Sequence, residues 1–226
     1  MTISATTQGL RMGVATSTSR PTVPFDGQVI SETDTDSLKV YNGTAWIGVG
    51  GLVNIVPTSV AVGSGSATTS VLGQVTFTGA SSVSLNGVFT SSYQNYRLVF
   101  NASCSSATSV SCRFRISGTD TTVAEYYHQL LVASGTTVSG TRTNTATSIL
   151  FMNNINTVHD SASAEIYSPQ ATKFTQMHIP STTTVSSIYY QTTAASYNLT
   201  TSFDGITLFS GAGTMTGTVT VYGYNQ

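Results

Sequence analysis

Three histidines, His128, His159 and His178, and five acids, Asp120, Glu125, Asp160, Glu165 and Asp204, are the side chains of the long carboxy-terminal part with acid–base chemistry to offer. His159-Asp160 is the only place where an imidazole stands beside a carboxylate. A Ser-His-Asp arrangement carries no weight here, because about a third of the chain is Ser or Thr and any histidine finds a hydroxyl nearby. G-x-S-x-G, P-loop and G-x-G-x-x-G patterns are all missing. Glycoside hydrolysis needs two carboxylates facing one cleft, whereas scattered acids in a charge-poor chain more often satisfy turns. The reading is therefore not an enzyme, with no cofactor and no metal.

Two other groups have metal-like or redox-like spacing. Glu32, Asp34 and Asp36 alternate as in a calcium loop, but the central glycine and closing glutamate are absent, so an exposed turn is expected. Cys104 and Cys112 flank a short polar segment, SSATSVS. Without neighbouring histidines they cannot close a zinc site. Two buried free thiols are expected, with a hairpin disulfide as the alternative.

The elements that must hold these residues are strands. Charged residues make up 8% of the 226, against roughly 25% in ordinary soluble domains, and hydroxyls do the solvating. Abundant Thr, Val and Tyr with 20 glycines favour β structure. A net charge of −1 argues against a polyanion partner, so no nucleic acid is expected. The pair in Arg113-Phe114-Arg115 reads as the solvent face of a strand. The longest apolar run, Ile47–Val56, carries three glycines and is too short for a bilayer, so no membrane insertion is expected. The start, MTISATTQGLRMG, has no apolar h-region, which places synthesis in a cytoplasm.

Residues 1–19 are polar and aperiodic and read as an extended arm, disordered in isolation. Punctuation is dense in the next stretch, RPTVPFDGQVISETDTDSLKVYNGTAWIGV. Arg20-Pro21 and Val23-Pro24 hold it extended, and Asp26-Gly27 turns it. Gln28–Glu32, Leu38–Tyr41 and Ala45–Val49 then form a three-stranded meander, with Asn42-Gly43 as a tight turn. So small a sheet has little core, and Trp46 is its expected anchor. Gly48, Gly50 and Gly51 make a joint that Pro57 closes, which divides the chain at about residue 55 into a 20–55 module and a 56–226 domain.

This stretch resembles the amino-terminal module found on structural proteins of tailed bacteriophages, such as minor tail proteins and fibres. Arg20, Pro21, Pro24, Gly27, the acidic Glu32–Asp36 turn, Tyr41, Asn42, Gly43 and Trp46 stand in the order of that module. A weaker likeness covers GTMTGTVTVYGYNQ at the end. The resemblance implies a virion protein, made in a host cytoplasm, docking through those residues to other virion proteins of tail or capsid, and assembled as a homotrimer. A tail appendage is the leading expectation. A head decoration protein and a free-standing carbohydrate-binding lectin are the rivals.

Past residue 55 the period is two almost everywhere. Tyr96 to Cys104 and Cys112 to Ile116 are expected to pair as a hairpin, with further strands at Gln74–Gly79, Val83–Phe89, Tyr126–Val132, Ser148–Asn153, Ala164–Tyr167, Lys173–Ile179, Ser187–Thr192, Gly205–Phe209 and Gly217–Tyr224. Pro180 reads as a turn residue, and Val123–Val132 carries a weak helical repeat. No fixed internal period appears, which disfavours a β-helix. The fold class expected is all-β, a small meander followed by a jelly-roll-like β-sandwich. Tyr126, Tyr127, Tyr189, Tyr190, Tyr222 and Tyr224 have flat apolar faces with polar tips. One of each adjacent pair should point outward, to a subunit interface or to a host-surface glycan.

Overall fold

A computed structural model describes residues 12–35, 37–184 and 188–225, and among these there is no helix. They divide into a small unit, residues 12–53 with Asn225, and a large unit, Asn54–Tyr224.

The small unit is a four-stranded sheet in the order β1 (Gly13–Ala15), β2 (Val29–Glu32), β3 (Ser37–Tyr41), β4 (Trp46–Gly48). Strands β2 to β4 are the expected meander. The addition is β1, which comes from the arm and pairs parallel to β2. Residues 13–15 are thus a sheet strand; the rest of the arm before residue 12, and Asp36, lie outside the described residues. The buried centre also differs from expectation. Ile30 and Glu32 are 1% and 0% exposed and Ala15 is buried, whereas Trp46 is only half-buried. Sheet register explains this: Trp46 faces Tyr41 on the last two strands, with ring centroids 5.5 Å apart, away from the central strand.

The division between the units falls inside β5 (Leu52–Ile55). The large unit continues with β6 (Ser59–Val62), β7 (Ser66–Thr69), β8 (Val75–Ala80), β9 (Ser82–Asn86), β10 (Asn95–Cys104), β11 (Thr108–Ile116) and β12 (Thr119–Asp120). Then follow β13 (Tyr126–Ser134), β14 (Thr137–Ala146), β15 (Ile149–Ile155), β16 (Asp160–Tyr167), β17 (Thr175–Thr184), β18 (Ile188–Tyr197), β19 (Gly205–Ser210) and β20 (Met215–Tyr224).

Eight of these strands form a jelly roll. One layer runs β8-β20-β10-β16 and the other β9-β19-β11-β15. Taken in chain order, the neighbours are first with last, second with seventh, third with sixth and fourth with fifth, which is a long antiparallel hairpin rolled up. Two insertions widen the first layer. The hairpin β13-β14 enters between β11 and β15, and β17-β18 between β16 and β19, giving the order β14-β13-β18-β17-β16-β10-β20-β8-β7.

This topology corrects several expectations. β10 and β11 do not pair: β10 lies between β16 and β20, and β11 lies in the opposite layer against β15 and β19. Both strands carry one apolar face, and burying both requires facing layers rather than one hairpin. Cys104 and Cys112 are buried free thiols. Burial pushes the Cys104 thiol up to about 11 and raises Cys112 as well. Pro180 sits inside β17, with Thr192 of β18 as its partner on one side. On the other side the ladder to β16 lapses opposite Ser163, where proline has no N–H to give. The weak helical window is strand β13. Arg115 is buried rather than solvated: it holds Asp120, Ser84, Asn86 and Thr207 in one polar network. Only Arg113 matches the expected outer face, lying 4.6 Å over the Phe209 ring.

Candidate functional site

The residues that carry the sequence motif build the small sheet's frame. Arg20 Nε and Nη2 donate to both oxygens of Glu32 at 2.7–2.9 Å, and Thr35 Oγ1 donates to Glu32 at 3.1 Å. A carboxylate this buried needs such a forked partner, which accounts for Arg20 and Glu32 occurring together. Asp34 accepts from the Ser17 hydroxyl and backbone N–H, and those bonds hold its carboxyl below the usual range. Asn42 Oδ1 takes the N–H groups of Thr44 and Ala45 at 3.0 and 2.8 Å, and Gly43 has φ +87°, a left-handed turn that favours glycine. Gly27, at φ +79°, donates its N–H to Tyr41 O at 2.8 Å. Pro21 and Pro24 lie half-buried in the lead-in. The acidic run is therefore a set of turn and ion-pair partners, and no group of three metal-ligating side chains occurs among the described residues.

The surface that sheet presents comes from residues between the motif positions. Alternation puts Ala15, Ile30 and Glu32 on one side. Val14, Val29, Leu38, Val40 and Ile47 fall on the other, as neighbours by register across all four strands. Val14, Val29 and Leu38 are exposed. The signal was present in the sequence: VISE opens with one apolar residue for each face, and SLKVY adds Leu38 and Val40 to the face of Val29, while the face of Ile30 is the one the sheet buries.

In the large unit the six tyrosines separate. Tyr126 is fully buried, so it belongs neither to an interface nor to a glycan site; its Oη donates to Thr121 O and accepts from Phe114 N, both at 3.0 Å. Tyr127 faces outward, as the alternation required. Tyr189 shares the inward side with Thr183 and Gln191, whereas Tyr190 is 53% exposed on the outer face. Tyr222 and Tyr224 are also outward and half-buried, and Tyr224 donates to Glu165.

The acids with potential chemistry are mostly occupied. Asp120 holds Arg115, Glu165 lies 3.6 Å from Arg97, Asp204 accepts from Ser117 N at 2.8 Å, and Asp160 accepts from Thr184 N at 2.7 Å. Burial raises the Asp160 carboxyl. His178 is hydrogen-bonded to the Thr192 hydroxyl at 2.9 Å.

His128 is half-buried, and its Nδ1 has no partner among the described residues. Burial lowers its pKa below the ordinary 6.5. The unfolded chain therefore binds this proton more readily than the folded one, and stability present above 6.5 is lost as pH falls through it. Thermal unfolding followed from neutral pH to about pH 5 should show Tm falling, with a smaller fall in His128→Gln. An equal fall in both proteins would remove His128 from the account.

No known family and no curated protein matches the sequence. Among solved structures, the chain is similar to a protein of unknown function from Shewanella oneidensis MR-1. That likeness has 8% identity and a TM-score of 0.33, and covers 77% of this chain and 79% of the other.

Proposed function

We propose that the chain is a structural protein of a tailed-bacteriophage particle: a homotrimeric tail appendage that docks through its small unit and presents its β-sandwich to the host surface or to a further fibre. The observation that carries this reading is the open apolar face of the small sheet. The motif residues Arg20, Gly27, Asn42 and Gly43 brace a four-stranded sheet whose other face, Val14, Val29, Leu38, Val40 and Ile47, has no second layer among the described residues of its unit. A sheet of this size gains most by burying that face against another protein of the particle. The charge-poor, hydroxyl-rich surface of the chain supports the same reading, since repeated copies repel one another weakly.

The test is incorporation of full-length protein into particles in infected cells. The double variant Val29→Lys, Leu38→Lys should fold as the parent does by circular dichroism and lose incorporation by at least about tenfold, because charges at the centre of an apolar contact abolish it. Undiminished incorporation would sink the docking assignment. Copy number in the particle separates a tail appendage from an abundant head decoration protein, and light scattering on the purified chain tests the trimer.

A further inference from the structure

We infer that the outer face of the wide sheet is a binding site for an extended oligosaccharide. It rests on the outward role proposed for the large unit, and names the ligand class. The register places Tyr222, Arg97, Glu165, His178, Gln129 and Arg142 in one line at right angles to the strands. The line crosses seven strands from β20 to β14, with Ala194 as its member on β18. At about 4.8 Å per strand it is about 29 Å long. Tyr222, Arg97, Glu165, His178, Ala194 and Gln129 stand on positions that alternate away from the core, and Arg142 continues the line onto β14, which is exposed almost throughout.

Two recesses border this line. One, of about 320 Å³, lies where Pro180 interrupts the ladder to β16, and its lining includes Val99, Asn101, Ser163, Pro180 and Tyr190. The other, of about 300 Å³, is lined by Tyr127, Gln129, Arg142 and Gln176. Both are of the size of small-molecule sites and both are open rather than enclosed.

The chemistry of the line selects the ligand. Guanidinium, carboxylate, imidazole and carboxamide groups alternate as planar donors and acceptors, the set that pairs with neighbouring hydroxyls of a sugar. Tyrosine rings beside them offer flat faces for the C–H side of a pyranose ring. Charges of both signs within the line disfavour a polyphosphate. An added peptide strand needs a free sheet edge, and β14 is the edge strand of this line; the six strands from β20 to β13 each have a neighbour on both sides, so most of the line offers side chains rather than backbone to a ligand. Arg142 is exposed and its side chain makes no ion pair or hydrogen bond among the described residues, so a guanidinium stands ready for a ligand.

The experiment is retention of the full chain on an array of bacterial lipopolysaccharide O-chains and capsular polysaccharides, which distinguishes the two sources of such a ligand. Retention on at least one polysaccharide is expected, and it should survive high salt. Arg142→Ala with Gln129→Ala, and separately Tyr190→Ala, alter exposed or half-exposed outer positions and should each weaken retention about tenfold or more, with Tm unchanged. The idea is overturned by no retention on any printed polysaccharide, by retention abolished in high salt, or by retention unchanged in both variants. Particle incorporation of these variants should stay at the parent level. A fault in the docking proposal would instead appear in the Val29→Lys, Leu38→Lys variant, which should keep its glycan retention.

Discussion

Arg20→Ala is expected to unfold the small unit while the large unit stays folded. The Glu32 carboxylate is fully buried, and Arg20 supplies its only cationic partner among the described residues, through three short contacts. Removing one partner of a buried pair costs about 3–5 kcal/mol. Because the Arg20 side chain is one-third exposed, the lower end applies, about 3 kcal/mol. A four-stranded sheet of short strands has little more stability than that to lose. Hydrogen exchange should show residues 28–41 losing protection in Arg20→Ala, with β10, β16 and β17 unaffected. Glu32→Gln is the informative companion: it keeps the shape and removes the buried charge, so it should cost less than Arg20→Ala. Equal protection of residues 28–41 in parent and Arg20→Ala would mean that the pair contributes nothing to the sheet.

The second large effect lies in the sandwich core. Phe114, 1% exposed, stacks on Phe203 at 4.7 Å and on Tyr126 at 6.1 Å, and lies edge-on to Phe89 at 6.4 Å. Tyr197 joins the same cluster, 4.8 Å from Tyr126 and 5.1 Å from Phe203. Phe114→Ala should lower stability by about 3–5 kcal/mol, since a cavity opens among rings that cannot close over it. Chemical denaturation of the large unit's transition measures this, and Phe114→Leu should recover about half. A loss under about 1 kcal/mol would show that the cluster repacks freely. The full expected loss would also loosen β11, which carries Cys112 and Arg115 on either side of Phe114.

Much of the fold could be read from local pattern. Alternation in YRLVFNASC and in CRFRI placed β10 and β11, and Asn42-Gly43 placed the β3–β4 turn, because side-chain period and turn chemistry are properties of neighbouring residues. Strands with no apolar alternation were missed. β14, TVSGTRTNTA, is exposed almost throughout, β7 and β12 are short and polar, and β6, SVAV, is only four residues long; they are strands because a neighbour offers them a ladder. Pro180 was misread for the same reason, as a residue that ends most strands is accommodated where one side of the ladder lapses.

What the sequence determined by itself was an all-β chain, the meander of the small sheet, and that one tyrosine of each adjacent pair turns inward; the structure decided which. It also contained Arg20 and Glu32 without showing that they meet, since twelve residues separate them and only the pairing of β2 with its neighbours buries the carboxylate. Tertiary structure alone decided that β10 and β11 lie in opposite layers, that Arg115 is buried, and that Tyr222, Arg97, Glu165, His178, Gln129 and Arg142 stand in line. Those facts depend on which strands become neighbours, a choice made by burying two apolar faces against each other over long separations in sequence, and no local pattern records it.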